Sequence, residues 1–311
     1  MGEPDGETVV QGIAASRGVA IGRIALSRSA APAASRSAGP PAAERAALEA
    51  ALAAAAAQLE ALAAEADRMA AEILEFQLAL LEDDDLTTPV RERIAAGEPA
   101  ESALVAVLDG EIAEYAAGAD ETFAARAGDL ADLRDRVLAN LRPAAAPART
   151  DGEGRAILVA QDLTPSRFLE TDWRRYRGAA LKGGSAAGHV ALLARARGTP
   201  LVVGLGAAFD RLADGALAVL DADAGQLIVN PASATLALNE ARLRAAAARA
   251  SAEAALRHRP AATATGEPVQ VLLNVDDPAA LRELDPAHCD GIGLTRTEFL
   301  FHGRELPDEE R

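Results

Sequence analysis

The residues best suited to chemistry lie in the segment LKGGSAAGHVALLARARGTPLVVGLG, residues 181–206. In this segment His189 follows a run of small residues, and the pattern over 190–197 predicts a helix that His189 begins. Glycines let backbone N–H groups approach an anion, and a helix N-terminus adds free N–H donors and a favourable dipole. Neutral imidazole is a competent nucleophile near pH 7. The segment therefore predicts a histidine that accepts a phosphoryl group. The glycines of the predicted phosphate loop are Gly183, Gly184 and Gly188.

Arg195 strengthens this interpretation, because it lies under two helical turns beyond His189 and a guanidinium fork suits a phosphate. A capping or core histidine beside a structural turn is the main alternative, and it would be favoured for an isolated histidine. A metal site is weaker, since no second His or carboxylate stands at ligand spacing. A hydrolase built on Ser185 is also weak, because the G-x-S-x-G context is missing. The histidines that lack a comparable setting are His258, His288 and His302.

Composition excludes several classes of protein. The chain has 47 acidic and 31 basic residues, a net charge of -16, which disfavours nucleic-acid binding. One cysteine, Cys289, permits no disulfide within the chain. The N-terminus has no signal-peptide pattern, and no segment reaches about 18 uninterrupted apolar residues. We therefore expect a cytoplasmic protein that does not enter a membrane.

Leucines and other apolar residues at helical spacing over 43–83 predict one long helix or two in line. A second helical block is predicted from about Pro89 to Asn140, with breaks near Gly97 and Gly118. The region 40–142 is therefore predicted to be an antiparallel helical bundle. It contains 22 acidic and 8 basic residues, a net of -14. That concentration is compatible with a basic docking partner and equally with a solvated helical face.

Strand patterns flank this bundle. They cover 8–26 before it, and 156–160, 201–205, 217–221 and 226–230 after it, with helical segments between the later ones. We therefore predict one α/β domain made of residues 1–30 and 145–233, with the bundle inserted in it. Next come a linker helix at 234–260 and, at 261–311, the opening of a βαβ unit: a strand at 269–275, a helix near 278–284, and GIGLTRTEFLF.

The 181–206 segment resembles the phosphohistidine signature of the phosphoenolpyruvate-utilising enzymes. Two further segments are similar to enzyme I of the bacterial sugar phosphotransferase system. These are GIAASRGVAIGRI (12–24) and GIGLTRTEFLF (291–301) with the following ELPDEE. The weaker matches are EILEFQLALLEDDDL (72–86), RAGDLADLRDRVLANL (126–141) and AQDLTPS (160–166).

The resemblance implies a swivelling phosphohistidine α/β domain, an inserted bundle that docks the small carrier protein HPr, and a C-terminal (β/α)8 barrel. The barrel would bind phosphoenolpyruvate and Mg2+ and make a homodimer. By the same resemblance the activity is that of a phosphoenolpyruvate-protein phosphotransferase, the first step of sugar uptake by the phosphotransferase system. His189 would carry the phosphoryl group from phosphoenolpyruvate to HPr, Arg195 would stabilise it, and Arg296 would contact the phosphate of phosphoenolpyruvate.

The sequence departs from the family pattern in its histidine loop and its length. The commoner pattern is Gly-Gly-x-Thr-Ser-His, whereas Ala187-Gly188 replaces Thr-Ser here, and Gln77 stands where a histidine is usual. The barrel stops after about one unit, and the family's Mg2+ ligands and catalytic cysteine would lie beyond Arg311. We therefore expect a C-terminally truncated fragment without metal ligands. It should accept phosphate from phospho-HPr but not use phosphoenolpyruvate alone, and only the full-length enzyme would dimerise.

Several alternatives stay open within this resemblance. Dikinase and synthase relatives need an ATP-grasp domain, for which the chain has no room. The chain can instead be part of a fused multiphosphoryl transfer protein or of a nitrogen-branch enzyme I. A different class of function is a non-catalytic regulatory paralogue that docks the carrier through its acidic bundle.

Overall fold

The computed structural model describes residues 6–27, 39–117, 121–142, 156–256, 259–275 and 289–295. The chain divides into two compact units, Met1–Ala241 and Arg242–Arg311. The first unit holds the predicted phosphohistidine segment and the helical region.

Eight strands of the first unit form one sheet. In chain order they are β1 (Thr8–Gln11), β2 (Ile13–Ser16), β3 (Val19–Ser27), β4 (Ala156–Ala160), β5 (Tyr176–Leu181), β6 (Leu201–Val203), β7 (Leu217–Asp221) and β8 (Gln226–Val229). Their order across the sheet is β1-β8-β7-β3-β4-β5-β6-β2. The four central strands from β3 to β6 pair in parallel, and the outer pairings are antiparallel. Every residue of β4 is buried, as the apolar run AILVA predicts.

In the described part of the chain, five helices lie between β3 and β4. They are α1 (Pro41–Glu65), α2 (Arg68–Leu81), α3 (Asp84–Ala95), α4 (Ala100–Ala117) and α5 (Glu121–Leu141). Because β3 and β4 are neighbouring strands, with Arg23 opposite Ala156, the helical region leaves the sheet and returns to the adjacent position. One buried cluster joins Leu48 of α1, Ile94 of α3, Leu104 of α4 and Val137 of α5.

The prediction of one helix or two in line over 43–83 is wrong about direction. Helix α1 ends at Glu65, and Asp67 begins the next helix, since its side chain accepts a hydrogen bond from the N–H of Ala70 at 3.0 Å and caps α2. Leu59 of α1 and Leu74 of α2 then pack in one cluster, so α2 turns back along α1. The second block also begins earlier than predicted, at Asp84.

Helix α1 is long and apolar enough to cross a membrane by length and composition, chiefly because of its alanines. One face of the helix packs within the helical region, and 22% of its apolar window is buried. Leu48, Ala51 and Ala55 are buried against the other helices, and Leu59 contacts Leu74 and Leu133. These contacts are those of a bundle helix.

Two short helices follow β4 and β5: α6 (Pro165–Glu170) and α7 (His189–Ala196). Phe168 of α6 is fully buried in the cluster that contains Ala191 and Leu193 of α7. Strand β5 was not predicted, because its sequence YRGAAL is weak in strand formers. Gly178 within it allows close packing, since a Cβ there would lie 2.8 Å from the Pro200 carbonyl oxygen.

The described part of the second unit contains one parallel strand pair. Helix α8 (Ser233–Leu256), which begins in the first unit, confirms that most of the predicted linker at 234–260 is helical; its role as a linker stays a prediction. Strand β9 (Leu272–Val275) pairs in parallel with β10 (Gly291–Thr295). The helix predicted near 278–284 lies outside the described residues, so the barrel itself stays a prediction.

Candidate functional site

His189 is the first residue of α7, as the sequence predicts. Gly188 precedes the helix at φ -67° and ψ 162° and offers no side chain to cap it. The first N–H groups of any helix have no acceptor within the helix, so they can bind an anion. The His189 side chain is 29% exposed, which leaves the ring accessible to a partner.

Asp129 of α5 is the residue that sequence reasoning missed. Its Oδ1 lies 3.0 Å from Nδ1 of His189, although the two residues are 60 positions apart in the chain. The Asp129 side chain is only 1% exposed, and among the described residues its Oδ2 has no hydrogen-bond partner. A buried carboxylate from the helical region thus faces the imidazole of the sheet region.

This contact sets the tautomer and the charge of the imidazole. An ionised carboxylate only accepts hydrogen bonds, so with Asp129 ionised the ring proton belongs on Nδ1, whose N–H donates the hydrogen bond to Asp129. In the neutral ring the lone pair is then on Nε2. The hydrogen bond to Asp129 raises the pKa of His189 above its ordinary value; burial opposes this, and the negative charge of Asp129 adds to it.

The glycines of the loop before His189 serve its backbone conformation more than they supply free N–H groups. Gly184 has φ +89°, a conformation that side-chain-bearing residues rarely adopt. Gly183 and Gly188 have no such requirement. The N–H of Gly183 donates to the Gln161 carbonyl at 3.1 Å, and that of Gly188 to the Ser185 carbonyl at 3.2 Å. These two amides are therefore used inside the fold, which corrects the expectation that they face an anion.

Ser185 is likewise engaged in the turn. Its hydroxyl oxygen accepts a hydrogen bond from the N–H of Ala187 at 3.1 Å. This bond uses one acceptor site of the hydroxyl and does not use its O–H donor, which is the group that would bond a phosphate.

Arg195 donates hydrogen bonds to the backbone of β2 and of the loop before His189. Its Nη1 donates to the carbonyl oxygens of Ala15, at 2.7 Å, and Ala186, at 2.9 Å. This nitrogen ties α7 to β2 and to the loop before His189, so the observed contact is structural. Arg296, the other predicted phosphate ligand, lies outside the described residues, as do His258, His288 and His302.

The described residues contain no group of three or more His, Cys, Asp or Glu side chains that could hold a metal ion. The acidic side chains of this part of the chain therefore do not fit a Mg2+ site.

Three family models match consecutive parts of the chain. They are the N-terminal domain of phosphoenolpyruvate-utilising enzymes at residues 11–126, their mobile domain at 152–225, and their phosphoenolpyruvate-binding domain at 250–311. The second match contains His189 and the first ends just before Asp129.

Curated relatives and one solved structure agree with these matches. A phosphoenolpyruvate-protein phosphotransferase of Streptomyces coelicolor is 35% identical over 98% of this chain and 55% of its own length. A multiphosphoryl transfer protein of Xanthomonas campestris is 36% identical over 77% of this chain and 29% of its own. A solution structure titled Enzyme I (nEIt) has a TM-score of 0.55 and 26% identity, and covers 76% of this chain and 98% of that one.

The chain spans about half the length of the phosphoenolpyruvate-protein phosphotransferase that it matches. Three models of one family match the chain in consecutive order, and a relative of that family is 35% identical over nearly the whole chain. This protein therefore belongs to the phosphoenolpyruvate-utilising enzymes.

Proposed function

We propose that this chain carries a phosphoryl group on Nε2 of His189 and exchanges it with a small histidine-containing carrier protein, the HPr of the phosphotransferase system. The observation that carries the proposal is the 3.0 Å contact between Nδ1 of His189 and the buried carboxylate of Asp129. It leaves an accessible ring with its lone pair on the opposite nitrogen.

The transfer follows from this arrangement. Nε2 attacks the phosphorus of the donor, the new N–P bond forms, and the bond from phosphorus to the donor atom breaks. The imidazole gains positive charge as the N–P bond forms, while its Nδ1 proton stays in place. Asp129 accepts the hydrogen bond from that Nδ1–H, and its negative charge offsets the positive charge of the ring. A buried aspartate plays this role beside a catalytic histidine.

The N-terminus of α7 is the proposed support for the transferred group. A phosphoryl group on Nε2 is a dianion near neutral pH, and the helix dipole and free N–H groups favour it. We propose that Arg195 adds charge stabilisation while its Nη1 keeps the loop in shape, and that Arg296 contacts the phosphate of phosphoenolpyruvate in the whole enzyme.

An acidic groove in the helical region is the proposed docking surface for the carrier. It has a volume of about 240 Å3 and is lined by the aromatic rings of Phe76 and Tyr115. The acidic residues that line it are Asp83, Asp85 and Glu111. Such a surface suits a partner with basic residues around an apolar centre.

Helix α5 contributes both to the groove and to the proposed chemistry. Arg126 lines it and sits 5.7 Å from the Phe76 ring. Asp129 follows Arg126 by three residues on α5, so both lie on one helix face. A carrier bound in the groove would present its own histidine next to His189.

The wider assignments are part of the same proposal. They are a phosphohistidine domain of residues 1–30 and 145–233, a carrier-binding bundle at 40–142, a linker at 234–260, and the start of a phosphoenolpyruvate-binding barrel at 261–311. In the whole enzyme we propose Mg2+, homodimerisation, a cytoplasmic location and a role in sugar uptake. The pairing of β3 with β4 supports the insertion, because it returns the chain to the same sheet.

A second candidate is that the chain is the corresponding part of a multiphosphoryl transfer protein. The 36% identity to the Xanthomonas campestris relative favours it. Both candidates use His189 in the same way, so the site chemistry does not separate them.

The test is label transfer to the chain from two donors used separately, phosphorylated HPr and phosphoenolpyruvate. We expect wild type to take the label from phospho-HPr, His189→Ala to take none, and His258→Ala to behave as wild type. We expect no label from phosphoenolpyruvate alone. If wild type binds HPr but never takes its phosphoryl group, the non-catalytic docking function is correct and this proposal is wrong.

A further inference from the structure

Helix α5 places three polar side chains along one face, at positions i, i+3 and i+7. Asp129 contacts His189, as described above. The Arg136 guanidinium forms an ion pair with Glu170 of α6 at 2.6 Å. Between them lies Asp132, which the proposed chemistry does not use.

Asp132 is buried and fully engaged. Only 3% of the Asp132 residue is exposed to solvent. Its Oδ2 accepts hydrogen bonds from Nε2 of Gln77 at 3.0 Å and from the N–H of Ser166 at 2.9 Å. Its Oδ1 accepts one from the Ser166 hydroxyl at 2.6 Å. Two of these three bonds cross from the helical region to α6.

The bond to the Ser166 N–H has a specific local effect. Ser166 is in the first turn of α6, where N–H groups lack acceptors within the helix. The residue before α6, Thr164, makes no side-chain cap. Asp132 therefore supplies the missing acceptor from another helix and fixes the start of α6 against α5.

Helix α6 is in turn packed on the helix that carries His189. The Phe168 side chain is fully buried, and it packs with Ala191 and Leu193 of α7. The contacts thus form a closed circuit. It runs from Asp132 to α6, through Phe168 to α7, and from His189 back to Asp129 on α5.

We infer that Asp132 is a positioning residue for phosphoryl transfer: by holding α6 against α5 it keeps the Asp129 carboxylate on Nδ1 of His189. The expected effect on the transfer rate rests on the proposed function. The positioning of Asp129 against His189 rests on the contacts alone. Loss of the Asp132 bonds would free α6 and α7 to shift, and the bond between Asp129 and His189 would lengthen.

Glu44 provides a matched control. It is also buried, at 3% exposure, and it also supplies an acceptor to the start of another helix. Its Oε2 accepts from the N–H of Ala100 at 2.9 Å, and its Oε1 from that of Gly39 at 2.8 Å. It lies on α1, outside the circuit. Glu44→Gln therefore reports what loss of a buried helix-capping carboxylate does by itself.

The first measurement is the pKa of His189, followed by NMR of the ring and assigned with His189→Ala. In Asp132→Asn we expect this pKa to fall toward its ordinary value, and in Glu44→Gln to stay unchanged. Ser166→Ala, which keeps the Ser166 N–H bond, should give a smaller fall and serves if Asp132→Asn does not fold. An unchanged pKa in folded Asp132→Asn, or in Ser166→Ala where that is the variant that folds, would overturn the inference.

The second measurement is the rate of phosphoryl transfer from phosphorylated HPr. A displacement of about 1 Å at a reacting group lowers rates up to ~100-fold, so we expect Asp132→Asn to be roughly 10- to 100-fold slower. Because Asp132 acts through Asp129, adding Asp132→Asn to Asp129→Asn should change the rate by less than about twofold. Losses that multiply would refute the inference. If wild type accepts no phosphoryl group, the proposed function fails, and the pKa measurement still decides the positioning role.

Discussion

Replacing Asp129 by asparagine removes the buried negative charge that faces Nδ1 of His189 while keeping the side chain's shape. The distance of 3.0 Å makes the contact a charge-assisted hydrogen bond, and such bonds contribute about 1.5–3 kcal/mol. The ring is 29% exposed, so solvent screens part of this energy. We take the lower part of the range, about 1.5–2 kcal/mol, which corresponds to roughly a 10- to 30-fold slower transfer.

The tautomer adds to this loss. The amide nitrogen of asparagine can donate to Nδ1, which would move the ring proton to Nε2 and remove the nucleophilic lone pair. The same substitution beside the histidine of a serine protease lowers kcat by about 10⁴. We therefore expect Asp129→Asn to accept a phosphoryl group from phospho-HPr at least tenfold more slowly, in a rapid-quench assay.

Asp135→Asn is the control for this experiment. It makes the same chemical change on the same helix, at a side chain that is 51% exposed and bound to Arg134. We expect it to transfer at the wild-type rate. If folded Asp129→Asn transferred less than about threefold more slowly than wild type, the proposal that Asp129 stabilises the positive charge of the His189 ring would be refuted.

Four further predictions concern pH, backbone conformation and packing. The rate at which His189 accepts a phosphoryl group should rise with pH through its raised pKa, since the imidazolium has no lone pair, and the midpoint should lie at lower pH in Asp129→Asn. The pair stabilises the fold fully below about pH 6.5 and less as pH rises through the folded pKa. The unfolding free energies of wild type and Asp129→Asn in urea should therefore converge with rising pH; divergence would contradict the direction of the shift. Gly184→Ala should lower that free energy by about 1 kcal/mol or more because of its φ of +89°, whereas Gly183→Ala should stay within ~0.5 kcal/mol. Phe168→Ala should cost about 3–5 kcal/mol, and a loss under 1 kcal/mol would mean that α6 is not packed as described.

The local part of the site could be predicted from the sequence. A glycine turn, a histidine and a helical pattern in one short segment place His189 at a helix start without knowledge of the rest of the chain. The apolar run at 156–160 likewise predicts a buried strand, because only a strand with neighbours on both faces buries every side chain.

The partner of His189 could not be predicted, because it comes from a helix 60 residues away. No spacing rule connects residues that meet only through tertiary packing. One signal was present: Asp129 and Asp132 stand next to Leu130 and Leu133 in the chain, and all four lie on the buried face of α5. Carboxylates on such a face are rarely buried without a partner, so they mark a contact even when the partner is unknown.

The proposed mechanism requires the phosphoryl group to be on one particular nitrogen of one histidine, and NMR of the phosphorylated chain identifies that nitrogen directly. The chain is phosphorylated with phospho-HPr and the modified ring is identified through its 15N and 31P signals. We predict one phosphohistidine, at Nε2 of His189, with Nδ1 still protonated. A phosphoryl group on Nδ1 of His189, or one that persists in His189→Ala, would contradict the account.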